Sequence, residues 1–157
     1  MPAHHFSFSV VNADETANLA AQIATRLTPG DVILLTGDVG AGKTHFARSL
    51  IQSVLDAPED IPSPTFTLVQ TYDTKIGDVW HADLYRLTSV FEIEELGLID
   101  AFDTAICLVE WPDRLGPLTP ANALHIAMHP GESDDARHLT MRWQDPVWAD
   151  KLGALQV

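Results

Sequence analysis

The chain has 157 residues, 46% of them hydrophobic and 20% charged, with nine Lys and Arg against 22 Asp and Glu for a formal net charge of −13. That length suits a single domain over residues 1–157, large enough to bury a core without covalent staples. The acidity argues against a direct grip on nucleic acid, because phosphate contacts come from Lys and Arg, and no apolar run is long enough for a membrane span.

The lone cysteine, Cys107, rules out an intrachain disulfide and fits a cytoplasmic location. The first residues, Met1 to His5, lack the basic and apolar segments of a signal peptide. An acidic surface serves solubility, or steers the chain toward a basic patch on another protein.

Phe6, Phe8 and Val10 alternate with polar residues and predict a first strand. Asn12 and Glu15 have capping-box spacing. Leu19, Ile23 and Leu27 then recur at four-residue steps, predicting a helix that ends near Thr28-Pro29-Gly30. Asp31 to Thr36 is a short β-branched run that reads as a buried strand.

The next eight residues are the most informative in the chain. Gly37-Asp38-Val39-Gly40-Ala41-Gly42-Lys43-Thr44 has the G-x-x-x-x-G-K-[ST] pattern of a phosphate-binding loop. Such a match arises by chance in roughly half a percent of chains this long. Phe46, Leu50, Ile51, Val54 and Leu55 recur behind it at helical spacing, so the loop lies between a strand and a helix, as the motif requires. Gly40 and Gly42 let backbone amides converge on a polyphosphate. The helix N-terminus adds its dipole. Lys43 supplies a cation for the β- and γ-phosphates and Thr44 a hydroxyl for Mg²⁺.

Asp56 to Pro64 reads as a loop, Phe66 to Tyr72 as a strand, and Val79 to Ala82 as its antiparallel return. Ser89 and Glu92 form a second capping box, opening a short helix that stops near Gly97. Ile106 to Val109 is another buried strand, and Pro112 to Pro120 is a connector. Leu124, Ile126 and Met128, then Leu139, Met141 and Trp143, predict a hairpin, and Pro146 to Leu155 a terminal helix. The fold class is α/β: a three-layer P-loop NTPase-like arrangement with a mostly parallel central sheet, antiparallel hairpin strands and helices on both faces. The strand order is not legible.

Two acids stand at the ends of apolar strands, Asp83 after Val79–Ala82 and Glu110 after Ile106–Val109. In open α/β sheets ligands gather at the carboxyl ends of strands, and a P-loop site needs an acid near its Mg²⁺. Each is otherwise a solvated strand end. Thr65, in the Ser63-Pro64-Thr65-Phe66 segment, is placed to reach the metal or the γ-phosphate, although on its own the segment reads as a proline turn before a strand. Trp111 packs either on the nucleotide or on the core. His81 reads as structural, and Arg86 as a salt-bridge partner.

The P-loop, Ser63-Pro64-Thr65-Phe66-Thr67-Leu68-Val69, His81-Ala82-Asp83-Leu84-Tyr85-Arg86-Leu87, Leu96-Gly97-Leu98 and Val109-Glu110-Trp111-Pro112-Asp113-Arg114-Leu115 occur together in this order. The chain thereby resembles the TsaE (YjeE) family of bacterial P-loop ATPases from about Asn12 to Leu115. The resemblance implies a cytoplasmic factor for threonylcarbamoyladenosine synthesis in tRNA. It implies that the factor binds ATP and Mg²⁺ and acts on a complex of TsaD-like and TsaB-like proteins, the RNA being held by those partners. Alone, the chain is expected to be a monomer. By similarity, Asp38, Val39, Gly40, Ala41, Gly42, Lys43, Thr44 and His45 form the nucleotide cradle. Thr44 and Glu110 would hold the metal, Asp83 would serve hydrolysis, and Thr65 and Trp111 would lie near the nucleotide. His45 stands where many relatives have a second Thr, a departure that bears on nucleotide affinity and its pH dependence. The competing readings are a small-molecule kinase, disfavoured by the scarcity of basic residues, and a nucleotide-sensing module without turnover.

Overall fold

The computed structural model describes residues 5–38, 40–57, 61–62, 64, 68–153 and 155. Seven strands form one sheet: β1 (His5–Val10), β2 (Val32–Thr36), β3 (Val69–Thr74), β4 (Gly77–Asp83), β5 (Ile106–Glu110), β6 (Leu124–Pro130) and β7 (Arg137–Arg142). Their order is β1-β7-β6-β2-β5-β4-β3. The middle four strands pair in parallel, β6 with β2, β2 with β5 and β5 with β4. Antiparallel pairs flank them on both sides, β1 with β7, β7 with β6, and β4 with β3.

β2 and β5 sit in the middle, and their side chains alternate between two apolar layers. Ile33, Leu35, Ile106 and Leu108 face one layer; Val32, Leu34, Cys107 and Val109 face the other. Burial on both faces is why these runs are apolar throughout rather than alternating. The first layer is closed by α1 (Ala13–Ala24), α2 (Lys43–Val54) and α5 (Val147–Leu152), through Leu19, Phe46 and Trp148. The second is closed by α3 (Val90–Glu95), α4 (Leu98–Thr104) and a 3₁₀ segment, Pro112–Leu118, through Ile93, Leu98 and Leu115. Helices therefore cover both faces, as the sequence implies.

Both capping boxes form. Asn12 Oδ1 accepts from the Glu15 N–H at 2.9 Å, and Ser89 Oγ from the Glu92 N–H at 3.4 Å. Each glutamate reaches back one residue past its cap, to the N–H of Val11 and of Thr88.

Several boundaries differ from expectation; α5, for one, ends at Leu152 rather than Leu155. α1 ends at Ala24, and Leu27 reaches the core from the turn beyond. β3 starts at Val69, the part of its predicted run from Phe66 to Thr67 lying outside the described residues. Residues 98–104 form α4, an element the periodicity does not reveal, because Gly97 at φ 77° breaks one helical run into two short helices. The expected connector after Trp111 is 3₁₀-helical, interrupted at Gly116. Among the described residues no helix is long and apolar enough to cross a membrane.

Candidate active site

The parallel strands β2, β4 and β5 end together, and the chain leaves β2 directly into the glycine loop. Gly37 must be glycine, since its φ is 145° and a Cβ there would sit 2.5 Å from the Met128 carbonyl oxygen. Gly42 caps α2 at φ 103°, again in the left-handed region. The turn closes with Ala41 N–H donating to the Asp38 carbonyl at 3.0 Å and Phe46 N–H to that of Gly42 at 2.9 Å. It delivers Lys43 and Thr44 to the first turn of α2.

A cavity of about 380 Å³ opens at this point, lined in part by Gly42, Lys43, Thr44, Asp83, Glu110 and Trp111. Lys43 is 5% exposed. Its ammonium donates to the Gly37 carbonyl and lies 3.6 Å from the centroid of the Trp111 ring. No carboxylate lies within ion-pair distance of it among the described residues. Burial lowers its pKa from the ordinary lysine value, while Glu110, Asp83, Asp38 and Asp113 pull it back up. A buried cation whose bonded partners are neutral is a receptor for an anion.

Glu110, 2% exposed, ends β5 directly opposite Asp83 at the end of β4. Its Oε1 accepts from the Thr44 hydroxyl at 2.9 Å, and its Oε2 lies 2.7 Å from His81 Nε2. Asp83, also buried, accepts the Tyr85 N–H on Oδ1 at 3.0 Å. Next along the chain, Trp111 adopts φ 57° and ψ 52°, a left-handed conformation costly for a bulky residue. That turn swings its ring over Lys43 and into tilted contact with Tyr85, centroids 4.8 Å apart. Strained backbone of this kind concentrates at ligand clamps.

The structure thus gathers Gly40, Gly42, Lys43, Thr44, His45, Asp83, Glu110 and Trp111 around one cavity. Ala41 is buried in the loop, and Asp38 is exposed beside it. Thr65 and Val39 lie outside the described residues. His45 leans toward α1, its Nε2 3.0 Å from the Ala13 carbonyl oxygen, and borders a second cavity of about 200 Å³ with Thr16 and Arg137.

Three contributors escape sequence reasoning. Arg137 on β7 donates from Nε to the Ala41 carbonyl at 2.8 Å and from Nη2 to that of Gly40 at 3.3 Å. Tyr85 lines the cavity beside Trp111. His81 reads as structural in sequence and bonds Glu110 in space. Only its same-face spacing to Asp83, two residues on, hints at this.

A mostly parallel sheet core, a glycine loop feeding a helix, and acids on the tips of neighbouring strands define the P-loop NTPase-like fold class. The family model described as "Threonylcarbamoyl adenosine biosynthesis protein TsaE" matches residues 10–139. A TsaE protein of Rickettsia bellii is 40% identical over 121 residues, covering 76% of this chain and 84% of that protein. Its counterpart in Bacillus subtilis is 37% identical over 131 residues, covering 83% and 80%. The crystal structure of Bacillus subtilis YdiB superposes with a TM-score of 0.78 at 25% identity, covering 98% of this chain and 95% of that one. The chain belongs to the TsaE family.

Proposed function

We propose that this protein is a Mg²⁺-dependent ATPase that serves tRNA threonylcarbamoyladenosine biosynthesis in the cytoplasm. It acts on a complex of TsaD-like and TsaB-like proteins. The pathway follows from the family, and the chemistry is argued from the cavity. The observation that carries it is the Thr44 hydroxyl 2.9 Å from Glu110 Oε1, beside a buried Lys43 with no carboxylate partner among the described residues.

Those donors suit magnesium. The ion prefers hard oxygens, and P-loop sites hold it with one hydroxyl and one acid, phosphate oxygens and water completing the shell. Among the described residues no group of three or more His, Cys, Asp or Glu could hold a metal unaided. That supports an ion arriving with its nucleotide rather than a standing metal centre. Thr44 and Glu110 would hold it, and its charge would offset that of the β- and γ-phosphates.

In this reading the loop amides and Lys43 bind the triphosphate, displacing the ammonium from the Gly37 carbonyl. Asp83 orients the attacking water and receives its proton. Trp111 and Tyr85 shield the phosphates from solvent on the strand-tip side. The second cavity, which shares Gly42 and His45 with the first, takes the nucleoside end. Among the described residues Lys43 is the only Lys or Arg lining the cavity, which favours slow hydrolysis alone and faster turnover with partners.

Phosphate release from Mg-ATP by the purified chain, with and without the TsaD–TsaB-like complex, tests this. Partner-stimulated release is expected. Release indifferent to partners would count against it, and phosphate transferred to an added metabolite would favour a kinase.

A further inference from the structure

We propose that His81 is a positioning residue that locks the Glu110 carboxylate in its metal-holding orientation. The inference rests on the proposed magnesium-nucleotide reading of the site and assigns to it a residue that touches neither ion nor nucleotide.

β4 and β5 run parallel, with Asp83 opposite Glu110 and His81 opposite Leu108. Side chains alternate along each strand, so His81, Asp83, Leu108 and Glu110 all face the layer covered by α2. His81 is fully buried, two residue pairs below the strand tips. From there its ring reaches up, Nε2 lying 2.7 Å from Glu110 Oε2. The other carboxylate oxygen, Oε1, meets Thr44 at 2.9 Å.

A glutamate's terminal torsion is broad and roughly two-fold, so one bond alone leaves the carboxylate plane loosely defined. Two bonds to opposite oxygens define it. One partner comes from α2 and the other from β4. Oε2 is held from below by the imidazole, which leaves Oε1 facing the P-loop hydroxyl. Without His81, Oε2 would lose its donor at a buried position, and the carboxylate would be free to turn.

The ring chemistry agrees. A bond from imidazole to an ionised carboxylate needs the proton on Nε2. The other nitrogen, Nδ1, is buried with no hydrogen-bond partner among the described residues. A proton there would be a buried donor without an acceptor, and a bare lone pair is the lesser cost. The geometry therefore places the donor proton of His81 on Nε2, fixed in one direction. Partners that orient a ligating carboxylate are worth about 10–100-fold in metal affinity.

The test measures Mn²⁺ binding to the full chain with ADP, by electron paramagnetic resonance, so that no turnover is involved. His81→Leu removes the donor and keeps an apolar filler. His81→Gln restores an N–H near the place of Nε2. The leucine variant is expected to bind Mn²⁺ about 10–100-fold more weakly while its metal-free ADP affinity, measured in EDTA, stays unchanged. The glutamine variant is expected to recover most of the loss. Wild-type Mn²⁺ affinity in the leucine variant, or equal impairment of both variants, would overturn the proposal. If neither variant folds, nitrogen-15 NMR of the wild-type histidines decides: a slowly exchanging Nε2–H on His81 supports it, and an Nδ1–H tautomer overturns it. Wild-type protein that binds no Mn²⁺ with ADP would instead sink the magnesium-nucleotide reading, and this inference with it.

Discussion

β2 has a lysine near each end, Lys43 buried and Lys151 partly exposed, and the two are treated in opposite ways. At the amino end, Asp31 accepts from the Lys151 ammonium and from the Thr28 N–H at 2.8 Å. Lys151 also donates to the Thr28 hydroxyl at 3.2 Å, tying α5 to the turn before the strand. Charge there meets charge. At the carboxyl end, Lys43 is bonded to a neutral carbonyl and stacked on Trp111, while Glu110 and Asp83 take other donors. The first arrangement holds helix to sheet. The second leaves a desolvated cation facing a cavity, which costs stability in the nucleotide-free protein and is recovered when an anion arrives.

The contrast is sharpest when each lysine is replaced by methionine, which keeps most of the volume. Lys43→Met is expected to weaken Mg-ATP binding by at least ~100-fold, equivalent to about 3 kcal/mol. The melting temperature of the nucleotide-free protein should hold or rise, because a poorly compensated buried charge has gone. Calorimetric titration and thermal melts of the same preparation check both halves, and a fall in both would erase the distinction between the two ends.

Asp83→Asn should leave Mg-ATP affinity intact and slow turnover by about 10²-fold or more, the usual size of a general-base contribution. Steady-state phosphate release alongside binding measures this. Normal turnover would reduce Asp83 to a strand end.

Lys151→Met should do the reverse of Lys43→Met. It leaves Asp31 buried beside Thr28 without its cation, costing about 1–3 kcal/mol. That lowers the melting temperature by roughly 3–10 °C for a chain of this size. Nucleotide affinity should not change.

The smallest effect concerns Cys107, on β5 three residues before Glu110. Burial pushes its thiol up to about 12, above the free-thiol value. The folded state therefore holds its proton more tightly than the unfolded state. The resulting stability is complete below pH ~8.5 and is lost as pH rises toward 12. Thiol reagents should react only as fast as the chain opens, and rapid labelling at pH 8 would mean that the strand is not packed as described.

Much of this was legible in the sequence. Glycines at fixed offsets before Lys43 and Thr44 declare a loop whose geometry is local, and so do both capping boxes. β2 and β5 declare themselves because burial on two faces demands unbroken apolar runs. What was not legible depends on partners distant in the chain. Arg137 reaches the loop only because β7 pairs with β6 and β6 with β2, and nothing in its own neighbourhood encodes that. His81 looks like an ordinary core histidine until β5 is laid beside β4. α4 hides because Gly97 resets the helical phase within a dozen residues, too short a span for periodicity to register.

The measurement that bears most directly on the open end of β2 is calorimetric titration of ATP into the purified chain, with Mg²⁺ and with EDTA. A single saturating site, markedly tighter with the cation and absent in Lys43→Met, is the expected result. No heat of binding in either buffer would contradict the account at its root.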